Sequence, residues 1–133
     1  MSKKILLLGL IMLIIIFITG CLSILPTTGL APVDEIEIVI FELFPVQIDV
    51  IARGNLPDPC TEISEVLQEK EGNTFFITIK TYRPPGFCIQ VLAPFEEIIS
   101  LEVYGLPAGT YIVNVNGVQG TFDLEVDNIL LKE

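Results

Sequence analysis

The sequence predicts an all-β domain: an antiparallel sandwich of two sheets and about seven strands, preceded by an N-terminal signal or membrane helix. Three observations predict it. Apolar and polar residues alternate with period two in most segments after residue 33. Glycine, proline and asparagine separate those segments at positions typical of turns. No helical period of 3.6 residues is found outside the N-terminal segment, which contains an uninterrupted apolar run.

The alternating segments define the predicted strands. They lie over residues 34–40, 46–53, 63–68, 75–80, 99–104, 111–116 and 121–126. The segment 63–68 is irregular, which indicates a bulge, and residues 87–92 form either a short strand or an ordered loop. Glu71-Gly72-Asn73 is typical of a hairpin turn. Asn116-Gly117 favours a type I′ hairpin, because both residues tolerate positive φ.

The N-terminal segment has the pattern of an export signal. Lys3 and Lys4 precede an apolar run over residues 5–18, and small residues follow it. This order is typical of a secretory signal with its cleavage site. Ile18-Thr19-Gly20-Cys21 resembles the lipobox of prokaryotic lipoproteins. The resemblance implies that Cys21 is lipidated and becomes the new N-terminus.

This signal predicts a protein anchored by lipid to the cell membrane, with its domain on the extracytoplasmic side. An uncleaved signal anchor is the alternative, because residues 5–25 carry no charge and could just span a bilayer. Both interpretations place the domain outside and attached to the membrane. The predicted organisation is a signal peptide over residues 1–20, a tether over 21–33, a β-sandwich over 34–127 and a C-terminal tail over 128–133.

The composition is acidic and lacks histidine. The chain has 17 Asp and Glu against 7 Lys and Arg, and loss of Lys3 and Lys4 with the signal leaves 5 basic residues and a net charge of −12. This balance argues against a nucleic-acid partner, whose phosphates need a basic surface. Without histidine the commonest general base and metal ligand is missing, so we predict no enzyme activity, no cofactor and no metal site.

Two cysteines remain in the predicted mature domain, Cys60 and Cys88. An even pair in an exported domain predicts a disulfide, with two reduced, buried thiols as the alternative. The bond would close a loop of about 28 residues, for which loop-closure entropy gives about 3–4 kcal/mol of stabilisation.

One local motif indicates the sandwich type. Leu106-Pro107-Ala108-Gly109-Thr110-Tyr111 resembles the tyrosine corner of Greek-key sandwiches, in which a tyrosine hydroxyl bonds to the backbone a few residues upstream. The resemblance implies an immunoglobulin-like Greek-key fold in the broad sense. The antibody-type disulfide is missing, because no cysteine lies two residues after Tyr111 and the chain has no tryptophan.

Three further segments resemble a known group of proteins. They are LPDPCTEI at 56–63, APFEE at 93–97 and VYGLPAGTY at 103–111. Together they are similar to a group of small exported prokaryotic proteins, over most of residues 34–126. The resemblance supports the assignment of the domain, but it does not indicate any particular activity.

Two proline-rich loops form the candidate binding site. Residues 56–59 and 83–87 are stiff, and the predicted disulfide brings them near each other. Rigid loops lose little conformational entropy on binding, so Asp58, Arg83 and Phe87 are the predicted contacts to a protein or envelope partner. The simpler interpretation is that these prolines terminate strands and block edge pairing.

The predicted function is a membrane-anchored extracytoplasmic lipoprotein with a non-catalytic binding or structural module. The alternative is a protease inhibitor on an immunoglobulin-like scaffold. Pro26-Thr27-Thr28-Gly29 is similar to the inhibitory loop of chagasin-type inhibitors, but it precedes the first predicted strand. A calcium site formed by Glu96 and Glu97 with Glu62 and Asp58, or a pair of catalytic carboxylates, is disfavoured. If the segment is extended, the neighbouring residues Glu96 and Glu97 point to opposite faces.

Overall fold

The computed structural model describes residues 2–21 and 25–130, with side chains for 2–13 and 25–130. Within them, a helix precedes eight strands. These elements are α1 (Ser2–Cys21), β1 (Thr27–Leu30), β2 (Val33–Phe41), β3 (Gln47–Leu56), β4 (Glu62–Glu71), β5 (Thr74–Arg83), β6 (Ala93–Ser100), β7 (Gly109–Val115) and β8 (Val118–Leu124). In the described part of the chain, no helix combines the length and the apolar character that crossing a bilayer requires.

The strands form two sheets, which confirms the predicted β-sandwich. One sheet has the order β2-β3-β6, and the other contains β1, β4, β5, β7 and β8. In the larger sheet β5 is central. β4 pairs with one edge of β5, while β7 and β1 share the other edge, at residues 74–77 and 80–83 respectively.

The prediction of a purely antiparallel sandwich was wrong for one pair, because β5 and β7 are parallel. Between them the chain passes through β6 in the other sheet, so that β7 returns in the direction of β5. The other paired strands of the described chain are antiparallel.

The tether predicted over residues 21–33 is corrected in its second half, which belongs to the sandwich. β1 pairs with β5 from Thr27 opposite Arg83 to Leu30 opposite Lys80. The prediction missed β1 because its four residues are all exposed and show no alternation. Residues 22–24, also part of the predicted tether, lie outside the described residues.

The chain changes sheets between β1 and β2, and Gly54 makes room for the crossing. Val33 at the start of β2 pairs with Gly54 of β3. A Cβ on Gly54 would overlap Pro32 O and would lie 2.8 Å from Phe95 Cε1. Only glycine therefore allows Pro32 to pass this close to β3.

Alternate residues of the strands form the core between the sheets. β3, β5 and β7 contribute most of it, through Ile48, Val50, Ala52, Phe75, Ile77, Ile79, Tyr111, Val113 and Val115. The rings of Phe75, Tyr111 and Phe122 pack together with centroids 5.4–6.1 Å apart. β6 ends at Ser100, earlier than the predicted strand over 99–104, although Leu101 and Val103 beyond it are also buried.

Local features predicted from the sequence are present. Asn116 and Gly117 have φ of 48° and 95°, as a type I′ turn requires. The pairing of β4 with β5 is irregular between Ile63 and Glu65, which confirms the predicted bulge.

The contact implied by the tyrosine-corner resemblance is also present. Tyr111 Oη donates a hydrogen bond to Pro107 O at 2.6 Å. The tyrosine ring is buried in the core, so this bond ties the segment before β7 to the sandwich.

Candidate functional site

The two ends of the sandwich carry the candidate sites. We call the end at residues 25–30, 56–61 and 84–92 the proximal end, because β1, the first strand after α1, begins there. We call the end at residues 40–46 and 123–130 the distal end. β3 connects the two, and its ten residues separate them by about 30 Å.

Asp58 organises the proximal end. Its side chain is buried, with 4% of the residue exposed. Oδ1 accepts hydrogen bonds from Cys60 N (3.0 Å), Thr61 N (2.8 Å) and Thr61 Oγ1 (2.9 Å). The local sequence explains this turn, because aspartate in the first position and proline in the second are favoured there.

Arg83 faces the other oxygen of Asp58, with Nε 3.3 Å from Oδ2. The two groups form an ion pair, but Nε–H is not aligned for a hydrogen bond. Burial raises the pKa of Asp58, but the hydrogen bonds from Thr61 and the charge of Arg83 outweigh burial and hold that pKa below its ordinary value. The carboxylate is therefore ionised, and both of its oxygens contact groups of the domain itself. The contact of Asp58 with a partner stays a prediction.

The predicted disulfide joins Cys60 to Cys88 across the proximal end, with Cα atoms 6.2 Å apart. Cys88 Sγ lies 3.8 Å from Asp58 Oδ1. The disulfide sulfur has no proton to donate, so this is a van der Waals contact. The ligand atoms of Asp58, Cys60 and Cys88 lie within 4.8 Å of one another. Both sulfurs are consumed by the disulfide, so this group is not a metal site while the bond is intact.

Phe87 is the accessible member of the predicted contact set, since it is 97% exposed while Arg83 is partly buried. It lies in the loop 84–92, which connects β5 to β6 and has no strand pairing. The apolar residues after Cys88 are also exposed: Ile89, Val91 and Leu92. Sequence reasoning missed this run, because alternation in a strand would place one set of its side chains in the core.

The predicted lipidation site and the chagasin-like segment lie at the N-terminal side of the domain. Cys21, the predicted lipidation residue, is the last residue of α1, and its side chain lies outside the described residues. Residues 27–29 of the chagasin-like segment belong to β1 and pair with β5, so they are not a free loop.

The acidic residues of β6 do not converge. Glu96 accepts a hydrogen bond from Arg53 Nε at 2.8 Å, whereas Glu97 pairs in register with Ala52 and points to the opposite face. Arg53 Nη1 also donates to Glu37 at 3.0 Å, and the hydrogen bonds from Arg53 to these two glutamates raise its pKa. This cross-strand cluster links β2, β3 and β6, and the sequence did not reveal it.

Asn128 fixes the distal end and corrects the predicted tail over 128–133. It is 1% exposed. Its Oδ1 accepts from Val46 N (2.7 Å), and its Nδ2 donates to Val46 O and Val103 O (3.0 Å each). The side chain thereby attaches the segment after β8 to the β2–β3 loop. Residues 131–133 lie outside the described residues.

A groove of about 310 Å³ opens beside this attachment. One wall comes from the β2–β3 loop and the other from residues 123–126; the lining residues are Ile40, Glu42, Leu43, Val46, Asp123, Leu124, Glu125 and Val126. Apolar side chains and carboxylates therefore share one concave surface. We call it the distal groove. Because it joins segments far apart in the chain, no local motif indicated it.

Comparison with known proteins places this fold in a family. The ORF11 beta-sandwich domain matches residues 50–124, from within β3 to the end of β8. The chain belongs to the ORF11 beta-sandwich family. The matched region includes the disulfide, Asp58 and the loop 84–92, and it leaves out α1, β1 and β2.

Three proteins of Herpetosiphon aurantiacus are similar to this ORF11 beta-sandwich chain. The "Uncharacterized 10.2 kDa protein in HgiCIIM 5'region" is 37% identical over 87 residues, which cover 65% of this chain and 92% of the relative. The 10.2 kDa proteins in the HgiBIM and HgiEIM 5'regions are each 39% identical over 75 residues, or 56% of this chain and 90% of the relative. No solved structure matches the chain.

Proposed function

We propose that this protein is a membrane-anchored extracytoplasmic lipoprotein whose β-sandwich is a non-catalytic binding module. The observation that carries the proposal is the distal groove, which lies at the end of the sandwich opposite the start of β1. A module attached at its proximal end would present this groove away from the membrane. The export signal and a disulfide, which persists in oxidising compartments, support the extracytoplasmic location.

The proposed anchor is a lipid on Cys21. Its test is incorporation of labelled fatty acid into the full chain, made in a bacterium that processes lipoproteins, with Cys21→Ser as the comparison. Label in the wild type that is lost in Cys21→Ser is the expected result. An unlabelled wild type that still fractionates with membranes would overturn the lipid and favour the uncleaved anchor.

The chemistry of the distal groove indicates the class of partner. Ile40 and Leu43 offer apolar contact, and Glu42 and Glu125 carry negative charge beside them. A protein segment that combines apolar and Lys or Arg side chains fits both features. The acidic net charge of the domain would steer such a segment toward it.

A designed peptide tests this class directly. We expect a Leu/Lys peptide to bind the full chain, a Leu/Glu peptide of equal length to bind poorly, and added salt to weaken binding. Leu43→Ser removes an exposed groove side chain and should weaken binding at least about tenfold, roughly 1.4 kcal/mol. Tyr104→Ser, another exposed site outside the groove lining, is the control. Equal binding by wild type and Leu43→Ser would contradict the groove.

The immunoglobulin-like Greek-key assignment is part of the proposal. The bond from Tyr111 Oη to Pro107 O supports it, and the parallel pairing of β5 with β7 is a departure from the antiparallel order we expected. An experimental structure with its strand connections compared to immunoglobulin-like domains would test it.

Protease inhibition is the second candidate, because Phe87 projects from a disulfide-bound loop. Against it, Asp58 of the neighbouring loop is buried and residues 27–29 are paired in β1. A panel of cysteine and serine proteases, assayed with wild type and Phe87→Ala, decides the matter. Inhibition that Phe87→Ala abolishes would establish the inhibitor, and no inhibition at micromolar concentrations would remove it.

A further inference from the structure

The proximal end differs in charge from the rest of the domain. Its three segments, residues 25–30, 56–61 and 84–92, contain a single charged side chain, Asp58. That carboxylate is buried and paired with Arg83. The chain carries 17 acidic residues in total, so a strongly acidic protein has one end whose segments expose almost no charge.

Six exposed apolar side chains lie at the same end. All of the following are more than half exposed: Leu25, Leu30, Phe87, Ile89, Val91 and Leu92. Single exposed apolar residues are ordinary, but a contiguous group marks an interaction surface. The disulfide at Cys88 and the prolines at 84 and 85 restrict the loop that presents most of them.

The proximal end is also where the chain arrives from its N-terminal segment. Thr27 pairs with Arg83, which contacts Asp58, and Cys88 next to Phe87 lies against the same carboxylate. Only five residues lie between Cys21 and Thr27, and the six steps from one to the other span about 20 Å at most in an extended chain. A lipid on Cys21 would therefore hold the apolar loop close to the bilayer surface.

We propose that the apolar loop 87–92 docks on the lipid bilayer and orients the domain with its distal groove facing away. The proposal rests on the proposed function for the anchor at Cys21 and adds a second contact with the membrane. Acidic surfaces are repelled by anionic lipid, so the end whose three segments expose almost no charge is the one that can approach it. At the distal end, Leu43, Phe44, Val126 and Leu130 are exposed too, but Glu42 and Glu125 lie in the same groove, and their charge disfavours lipid contact.

Tryptophan fluorescence tests the docking, because the chain contains no tryptophan. Phe87→Trp places a single reporter in the loop, and Phe44→Trp places a matched reporter at an exposed aromatic position of the distal end. Each full-length variant is reconstituted into phosphatidylcholine vesicles, separated by flotation and examined with brominated lipids. We expect Phe87→Trp to emit at shorter wavelength on vesicles and to be quenched most by bromine near the headgroup, about 5–10 Å deep. Phe44→Trp should retain its aqueous emission.

The outcomes separate docking from anchoring. If the protein floats with vesicles but Phe87→Trp is no more quenched than Phe44→Trp, docking is overturned while the anchor stands. If the protein does not float, the Cys21 thiol is coupled to a maleimide phospholipid, since Cys60 and Cys88 are joined in the disulfide. Quenching of Phe87→Trp in that preparation supports docking although the natural anchor has failed, and unquenched emission overturns docking as well.

Discussion

The side chain of Asn116 hydrogen-bonds both backbone groups of Ile79. Ile79 N donates to Asn116 Oδ1 and Asn116 Nδ2 donates to Ile79 O, each at 3.0 Å. Nδ2 also donates to Ala31 O at 2.9 Å. The side-chain amide thus makes the hydrogen bonds that a neighbouring strand residue would make to the edge of β5. It does so in the gap between the end of β7 and Ala31, the residue that follows β1. A turn residue thereby connects three strands.

Substitution of Asn116 should separate hydrogen bonding from backbone strain. Asn116→Gly keeps the freedom to adopt φ of 48° but leaves the partly buried groups of Ile79 without their partner, at a cost of about 1–3 kcal/mol. Asn116→Ala adds the strain of positive φ and should cost about 1–2 kcal/mol more. Urea unfolding measures both. A glycine variant as stable as wild type would contradict the role of the amide.

Gly54→Ala should prevent stable folding or cost more than about 3 kcal/mol, because the new methyl group overlaps the backbone at Pro32 and neither strand can move independently. Gly29→Ala is the matched control. A Cβ at Gly29 would meet only Thr81 Oγ1, at an ordinary 3.5 Å, so its effect should stay within about 0.5 kcal/mol. Thermal unfolding compares the two variants, and equal melting temperatures would show that the crossing tolerates a side chain.

Asp58 should contribute stability that disappears in acid. Its pKa is lowered in the folded protein from an ordinary value of 3.8, so its contribution is fully present above that pH and is lost as pH falls through the lowered pKa. Asp58→Asn should therefore melt below wild type at pH 7, and the difference should shrink in acid. Glu62→Gln, which removes an exposed charge nearby, is the control. A difference that does not change with pH would exclude the ion-paired carboxylate as its cause.

Loss of the disulfide should destabilise the domain. The bond closes a separation of 28 residues, for which loop-closure entropy predicts about 3–4 kcal/mol. The double variant Cys60→Ala/Cys88→Ala should show this loss in urea, and reduction of the wild type should give a similar shift. An unfolding midpoint unchanged by both treatments would mean that the closed loop adds nothing to stability.

Much of the fold followed from local patterns. Alternation located most of the strands, and the Asn116-Gly117 pair identified its hairpin, because side-chain direction in a strand and positive φ in a turn depend on neighbouring residues alone. The disulfide followed from the even number of cysteines in the predicted mature domain and from its predicted compartment. Of the predicted contact residues, Phe87 proved exposed and Asp58 proved internal. Whether a loop side chain turns inward depends on Thr61 and Arg83, which the spacing of prolines does not reveal.

By itself, the sequence determined the β-sandwich class, the disulfide partners and the acidic charge, and it predicts an export signal. Only the tertiary structure decided that residues 27–30 form a strand, that β5 and β7 are parallel, and that Asn128 attaches the segment after β8 to Val46. The exposure of the apolar loop 87–92 and the presence of the distal groove, the two candidate surfaces, were also decided only by the tertiary structure. The physical reason is that each depends on groups brought together from distant parts of the chain, whereas periodicity, turn chemistry and composition report only on neighbours in sequence.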